Sequence, residues 1–118
     1  MRKKIVIVTG CSGFIGSHLV EFLIKKNKFV IGLDNLSSGN KKFMENIDKK
    51  NFKFYKVDLY KKKIDKYFKN ISEIYHLSAN ADVRYGIKHR DRDLKQNTIV
   101  THKILEQCVK NNIKKLIF

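Results

Sequence analysis

Thr9-Gly10-Cys11-Ser12-Gly13-Phe14-Ile15-Gly16, directly after the apolar run Ile5-Val6-Ile7-Val8, describes a buried strand that turns into a helix through a loop nearly free of side chains. Gly10 and Gly13 permit positive φ and let backbone N–H groups approach an anion, while Gly16 lets the new helix lie close on the strand before it. The helix N-terminus adds partial positive charge, so the corner suits a diphosphate. The spacing Gly-x-x-Gly-x-x-Gly is a weak sign by itself, because an ordinary strand-to-helix turn carries glycines too. Its context adds weight. A second apolar strand, Phe29-Val30-Ile31-Gly32-Leu33, ends on Asp34, at about the 20-residue distance at which dinucleotide folds place an acid for the adenosine ribose. A carboxylate there accepts from two ribose hydroxyls and repels a 2′-phosphate, which selects NAD over NADP. A loop or helix cap is the alternative use of such an aspartate.

A chain of 118 residues makes one domain, large enough for a real core and short for a complete two-site enzyme. Lys and Arg total 26 against 11 acids, a formal charge of +15, which raises the question of nucleic acid or an anionic membrane. The distribution argues against both. The lysines are scattered in pairs and one triplet, Lys61 to Lys63, along polar faces and loops, and the arginines that favour bidentate phosphate readout are only Arg2, Arg84, Arg90 and Arg92. No run approaches membrane-spanning length, and a signal peptide would have to use the first strand as its apolar region, so the expected compartment is the cytoplasm. Cys11 and Cys108 lie in dissimilar settings, and His18, His76, His89 and His102 show no ligand spacing, so neither a disulfide framework nor a metal is expected.

Apolar periodicity alternates between strand and helix along the whole chain. Phe14 to Lys26 reads as a helix with Ile15, Leu19, Phe22 and Leu23 on one face, stopped by Asn27. Asn35 to Asn40 is a loop by composition, and a short helix over Lys42 to Asp48 follows. Lys53 to Val57 is the third strand, Ile64, Tyr67 and Phe68 give the next helix its stripe, and Glu73 to Leu77 is the fourth strand. Ser78 to Arg90 is polar and irregular. A long helix from about Asp91 to Asn111 directs Leu94, Thr98, Thr101, Ile104, Leu105, Cys108 and Val109 toward a core, and a fifth strand covers Lys115 to Phe118. Such alternation predicts an α/β, Rossmann-like, doubly wound parallel sheet of order 3-2-1-4-5, with the ligand crevice where the order reverses between strands one and four.

Read together with Asp34-Asn35-Leu36-Ser37-Ser38-Gly39, Asp58-Leu59 and His76-Leu77-Ser78-Ala79-Asn80-Ala81-Asp82-Val83, the glycine loop makes this chain resemble the extended short-chain dehydrogenase/reductases. Within them it is similar to the NAD-dependent nucleotide-sugar epimerases and dehydratases of the UDP-glucose 4-epimerase kind. The resemblance covers essentially all of residues 1–118, which correspond to the first third or so of a family member, an NAD-binding domain without its substrate domain. It implies that Gly10, Gly13, Phe14 and Ile15 hold the NAD pyrophosphate through backbone groups, that Gly16 serves helix packing, and that Asp34 takes the adenosine ribose. Asn35 and Ser38 match positions that bond that ribose or the adjacent phosphate. Asp58 and Leu59 match the pair at the adenine edge, although Asp58 can also serve simply as a turn former. Leu77, Ser78 and Ala79 match the segment beside the nicotinamide ribose, and Asn97 a helix asparagine near it. Where the family has glycine three residues after that asparagine, this chain has Val100, whereas Thr101 fits the pattern.

The family's Tyr-x-x-x-Lys pair is absent. Tyr55, Tyr60, Tyr67, Tyr75 and Tyr85 are followed four residues on by Leu59, Ile64, Ile71, Ala79 and His89, so no catalytic residue is assigned and the chain alone is expected to be inactive. His76 reads as structural, His18 as a surface or packing residue, and Cys11 as a spacer despite its place near a helix N-terminus. Three functions stay open: the NAD-binding part of a nucleotide-sugar epimerase, the same part of a dehydratase, decarboxylase or reductase, and a stand-alone NAD-binding regulatory module. The apolar terminal strand of such a module would need a cap or a homodimer partner.

Overall fold

The computed structural model describes residues 3–78, 91 and 94–118. Five parallel strands form one sheet of order β3-β2-β1-β4-β5: β1 Ile5–Thr9, β2 Phe29–Asp34, β3 Phe52–Lys56, β4 Glu73–His76 and β5 Leu116–Ile117. β1 lies at the centre, with Val6 beside Val30 in β2 and beside Glu73 in β4. This is the predicted order, and it follows from the alternation of strands with covering segments.

Alternate residues of each strand feed two cores. Val6, Val8 and Val30 point to the face covered by α1, Phe14–Lys25, where Val20 and Leu23 close over them. Ile7, Leu33 and Ile74 point to the other face, under Val100 and Ile104 of α2, Val100–Lys110. A strand paired on both sides and covered on both faces favours apolar side chains, which is why β1 reads Ile5 to Val8 as an apolar run before the hydrogen-bonded Thr9 at its end. The carboxylate of Glu73, at the opposite end of β4 from the glycine corner, takes Lys28 at 3.1 Å, the Tyr75 hydroxyl at 2.8 Å and Lys115 at 3.3 Å. Burial pushes its pKa up, but those three partners overcome this and hold it at about 2.

Several expectations are corrected. α1 buries Gly16, Ser17, Val20 and Leu23 and leaves Ile15 and Phe22 exposed, because the small residues Gly16 and Ser17 allow closer approach to the sheet than the expected bulky face would. It ends as expected at Asn27, whose φ of 63° is the left-handed conformation that asparagine tolerates; Asn112, with φ 53°, does the same after α2. The expected helix over Lys42 to Asp48 is a 3-10 turn, Lys41–Met44, started by the Asn40 side chain, whose Oδ1 accepts from the Lys42 amide at 2.9 Å. Between β3 and β4, where a helix was expected, stand a lone turn, Asp58 to Lys62, and a 3-10 turn, Asp65–Tyr67, with Ile64 and Phe68 of the predicted stripe buried.

The long helix over Asp91 to Asn111 is, among the described residues, a π-helical stretch Leu94–Ile99 followed by α2. Its buried stripe is Val100, Ile104 and Gln107, while Leu94, Leu105 and Val109 are exposed. Positions 100, 104 and 107 follow the helical repeat, whereas 105 and 109 form a second stripe turned outward. Val100, where the family pattern has glycine, is fully buried and packs with Ile104. No described helix is long and apolar enough to cross a membrane.

Candidate functional site

The C-terminal ends of β1, β2 and β4 gather Gly10, Asp34, Leu77 and Ser78 along one edge of the sheet, and Asp58 follows β3 by two residues on the same side. Gly10 leaves β1 with φ 71°, and its amide donates to the Leu33 carbonyl at 2.9 Å. A Cβ at this position would lie 2.9 Å from the carbonyl carbon and oxygen of Leu77, so glycine alone satisfies both the angle and the approach to β4. The Gly13 amide closes the turn on the Gly10 carbonyl at 3.1 Å. A Cβ on Gly16 would collide with that same carbonyl, which sets how tightly α1 seats on the loop.

Gly13 is the N-cap of α1 and offers no side-chain acceptor. The first amides of a helix have no intrahelical acceptor, so those of Phe14, Ile15 and Gly16 form a cluster of N–H donors at the positive end of the helix dipole. Phe14 and Ile15 are 66% and 71% exposed beside it. The Phe14 ring leans on His18, with centroids 4.6 Å apart, and on Phe43 at 6.1 Å. Cys11 faces inward, fully buried against Met44, and burial followed by the nearby Asp34 charge pushes its thiol up to about 12. Such a thiol is a spacer and not a nucleophile.

Asp34 is buried at the end of β2. Its Oδ2 accepts from the Ser12 amide at 2.9 Å and the Ser12 hydroxyl at 2.5 Å, and its Oδ1 accepts from the Leu36 amide at 2.8 Å. The loop beyond it folds over the glycine corner, with the Asn40 amide donating to the Ser12 carbonyl at 3.0 Å. Asn35 forms a turn by accepting from the Ser37 amide at 2.9 Å, and Ser38 is exposed. Asp58 caps a single helical turn: its Oδ1 accepts from the amides of Tyr60 at 2.9 Å and Lys61 at 3.1 Å, and its carbonyl accepts from the Lys62 amide at 3.0 Å. Leu59 is buried in the α2-side core. The turn-forming use of Asp58 is therefore realised through one carboxylate oxygen.

Under Leu77 and Ser78 runs a buried relay. Both amides donate to Thr9 Oγ1, at 3.0 and 3.1 Å, and Thr9 Oγ1 lies 2.7 Å from His76 Nδ1. His76 Nε2 lies 3.0 Å from Thr101 Oγ1, whose proton goes to the Asn97 carbonyl at 2.6 Å. Thr101 uses its one proton there, so Nε2 donates; Thr9 Oγ1 already accepts two amides, so its own proton goes to Nδ1, which assigns a neutral imidazole. Burial pushes its pKa down to about 4, in keeping with that assignment. His76 is thus structural, as expected, and it connects β1, β4 and the start of α2. Ala79, the Ser78 to Arg90 segment beyond its first residue and Asp82-Val83 lie outside the described residues. Ser12 and Thr9 carry bonds that no spacing in the sequence signalled, since their partners are distant in the chain.

The profile of the NAD dependent epimerase/dehydratase family matches residues 6–118. Among solved structures, a UDP-N-acetylglucosamine 4-epimerase from Methanobrevibacter ruminantium, in complex with UDP-N-acetylmuramic acid, is 38% identical and superposes with a TM-score of 0.91 over 100% of this chain and 38% of its own. A Thermus thermophilus UDP-glucose 4-epimerase in complex with NAD is 32% identical with a TM-score of 0.85, over 97% of this chain and 36% of its own. A UDP-glucuronate 4-epimerase from Thermodesulfobacterium geofontis is 36% identical over 122 residues, 94% of this chain and 37% of that relative. The chain thus spans little more than a third of the length of these proteins. With the profile matched from the first strand to the last residue, and the sheet order and glycine corner in place, the chain belongs to the NAD dependent epimerase/dehydratase family.

Proposed function

We propose that this chain is the NAD-binding amino-terminal part of a nucleotide-sugar epimerase. The observation that carries the reading is the joining of Asp34 to the glycine corner through Ser12, which sets a buried carboxylate beside the N–H cluster of α1. The residues fit the cofactor. A pyrophosphate needs donors without competing side chains, which the amides around Gly13, Phe14 and Ile15 supply, and it needs the close backbone approach that Gly10 gives. A ribose needs an oriented acceptor, and Asp34 Oδ1 accepts only one described bond while a carboxylate oxygen can take two. In this reading Asn35 and Ser38 serve that ribose, Asp58 and Leu59 the adenine edge, and Leu77, Ser78 and Asn97 the nicotinamide ribose, with Ala79, outside the described residues, assigned to the last group by the family pattern alone.

When bound, NAD supplies a hydride acceptor that returns the hydride to the sugar. The residues present here bind and orient it; proton transfer to the sugar falls to groups outside this sequence, and the chain alone turns nothing over. The relatives' names carry glucose, N-acetylglucosamine and glucuronate, which supports a nucleotide-sugar as substrate class without selecting the sugar. Neither nucleic acid nor a membrane is a partner in this reading, the protein acts in the cytoplasm, and a homodimer is its expected assembly.

Titration calorimetry of the 118-residue chain with NAD tests the proposal. Binding is expected, and Asp34→Ala should weaken it about 10- to 100-fold, the range for hydrogen bonds to a charged group. Equal affinity in the variant would remove the ribose assignment, and no heat of binding in the parent would remove the NAD reading.

A further inference from the structure

The connection between β3 and β4 holds its polar backbone by an unusual arrangement. In the single helical turn Asp58 to Lys62, the amides of Tyr60 and Lys61 point at the Asp58 carboxylate, as at a capped helix N-terminus. The opposite end of a one-turn helix exposes carbonyls with no following turn to satisfy them. Here they converge on one cation. Lys103 Nζ, reaching across from α2, donates to the carbonyls of Leu59, Tyr60 (3.1 Å) and Lys62 (2.8 Å). An ammonium has three protons, and all three are engaged.

Further along the same face of α2, Gln107 Nε2 donates to Asp65 at 2.5 Å and Lys110 lies 3.5 Å from it. Positions 103, 107 and 110 form one helical stripe, so α2 supports the whole connection where a packed helix was expected. Lys103 lines a cleft of about 270 Å³ with Lys61, Lys62 and Lys63. Burial lowers its pKa, and the Asp58 and Asp65 charges oppose that shift. The convergence of its ammonium on three carbonyls, those of Leu59, Tyr60 and Lys62, sets this half-buried lysine apart from a solvated surface residue.

We propose that Lys103 is a positioning residue for adenine recognition: by tying the carbonyl end of the Asp58–Lys62 turn to α2 it fixes the direction of the Asp58 carboxylate and the Leu59 backbone. The inference rests on the NAD reading above and adds a residue to it. Asp58 Oδ1 is occupied by the turn, and no described group donates to Oδ2, which leaves Oδ2 to meet the adenine amino group. If the turn loses its anchor, that oxygen loses its aim, while pyrophosphate and ribose contacts on β1 and β2 stay in place.

The test compares NAD with nicotinamide hypoxanthine dinucleotide, which carries an oxo group where adenine has its amino group and, with it, a proton on the neighbouring N1, so that the base no longer offers an amino donor to Asp58 Oδ2. The parent chain should prefer NAD about tenfold, the value of one hydrogen bond. Lys103→Met should reduce that ratio to about twofold or less, Lys103→Arg should largely restore it, and Asp34→Ala should weaken both ligands while keeping the ratio. A ratio in Lys103→Met equal to that of the parent overturns the proposal. A parent that binds both dinucleotides equally overturns it together with the Asp58 assignment but leaves the NAD reading standing, and a parent that binds neither overturns both readings. Should Lys103→Met fail to fold, Lys103→Gln, which keeps two donors, gives an independent measure through amide hydrogen exchange. Exchange at Tyr60, Lys61 and Lys62 should quicken about tenfold with β1 unchanged, and equal exchange at these amides also overturns the proposal.

Discussion

Ser12 bonds Asp34 twice, through its amide at 2.9 Å and its hydroxyl at 2.5 Å, across a separation of 22 residues. Ser12 lies in the connection from β1 to α1 and Asp34 is the last residue of β2, so this pair fixes the glycine corner relative to the end of β2. It also means that Asp34 has a structural duty in addition to the ribose contact proposed for it.

The coupling is measurable in urea unfolding. Ser12→Ala removes one charge-assisted bond and should cost about 1–3 kcal/mol. Asp34→Ala should cost more, because it leaves the Ser12 and Leu36 amides without their acceptor. The double variant should lie within about 0.5 kcal/mol of Asp34→Ala alone; full additivity would show that the bond contributes nothing.

Gly16→Ala would ordinarily favour a helix by about 1 kcal/mol. Here the added methyl meets the Gly10 carbonyl, and α1 must shift outward. A net loss of about 1–3 kcal/mol is expected, with NAD affinity falling as the amide cluster moves. A stabilised variant with unchanged affinity would contradict the close seating of α1.

His76 sets an acid limit on stability. Its pKa is about 4 in the folded chain, against an ordinary 6.5. As pH falls from 6.5 to 4 the unfolded chain takes up a proton that the folded chain refuses, so stability present above pH 6.5 is lost across that interval, about 3 kcal/mol in all. Glu73, held at about 2 against 4.5, adds a further loss from 4.5 downward. Urea midpoints at pH 7 and 5 isolate the histidine, and His76→Gln should flatten the difference between them. A parent whose midpoints agree at the two pH values would contradict the buried neutral imidazole.

The two thiols should differ in reactivity. Cys11 is fully buried with its pKa pushed up to about 12, while Cys108 is half-buried with a smaller upward shift from burial. With Ellman's reagent at pH 8 the folded chain should release at most one equivalent, and peptide mapping should place it on Cys108. Two equivalents reacting at one rate without denaturant would show that the glycine corner opens.

Legibility followed the range of the interactions. Strand order, the turn at Gly10 and the stop at Asn27 are legible, because each depends on local periodicity or on one residue's permitted φ. Bulk does not mark the buried faces of α1 and α2: Ile15, Phe22, Leu105 and Val109 are all exposed. Close seating is set by Gly16 in one helix, and the other is oriented by Val100 together with Thr101, which reaches His76. The segment after β3 hides its conformation for a related reason, since its apolar stripe is buried without a helix in a chain segment supported by Lys103 and Gln107.

By itself the sequence determined an NAD-type parallel α/β frame, because apolar runs, glycines and an acid at a strand end act through neighbours along the chain. Only the tertiary structure decided which groups complete the site: Ser12 on Asp34, Thr9 and Thr101 on His76, Lys103 on the Asp58 turn. These bonds join residues 22 to 67 positions apart. No periodicity encodes such a pairing; it exists only once the sheet has brought the strand ends together.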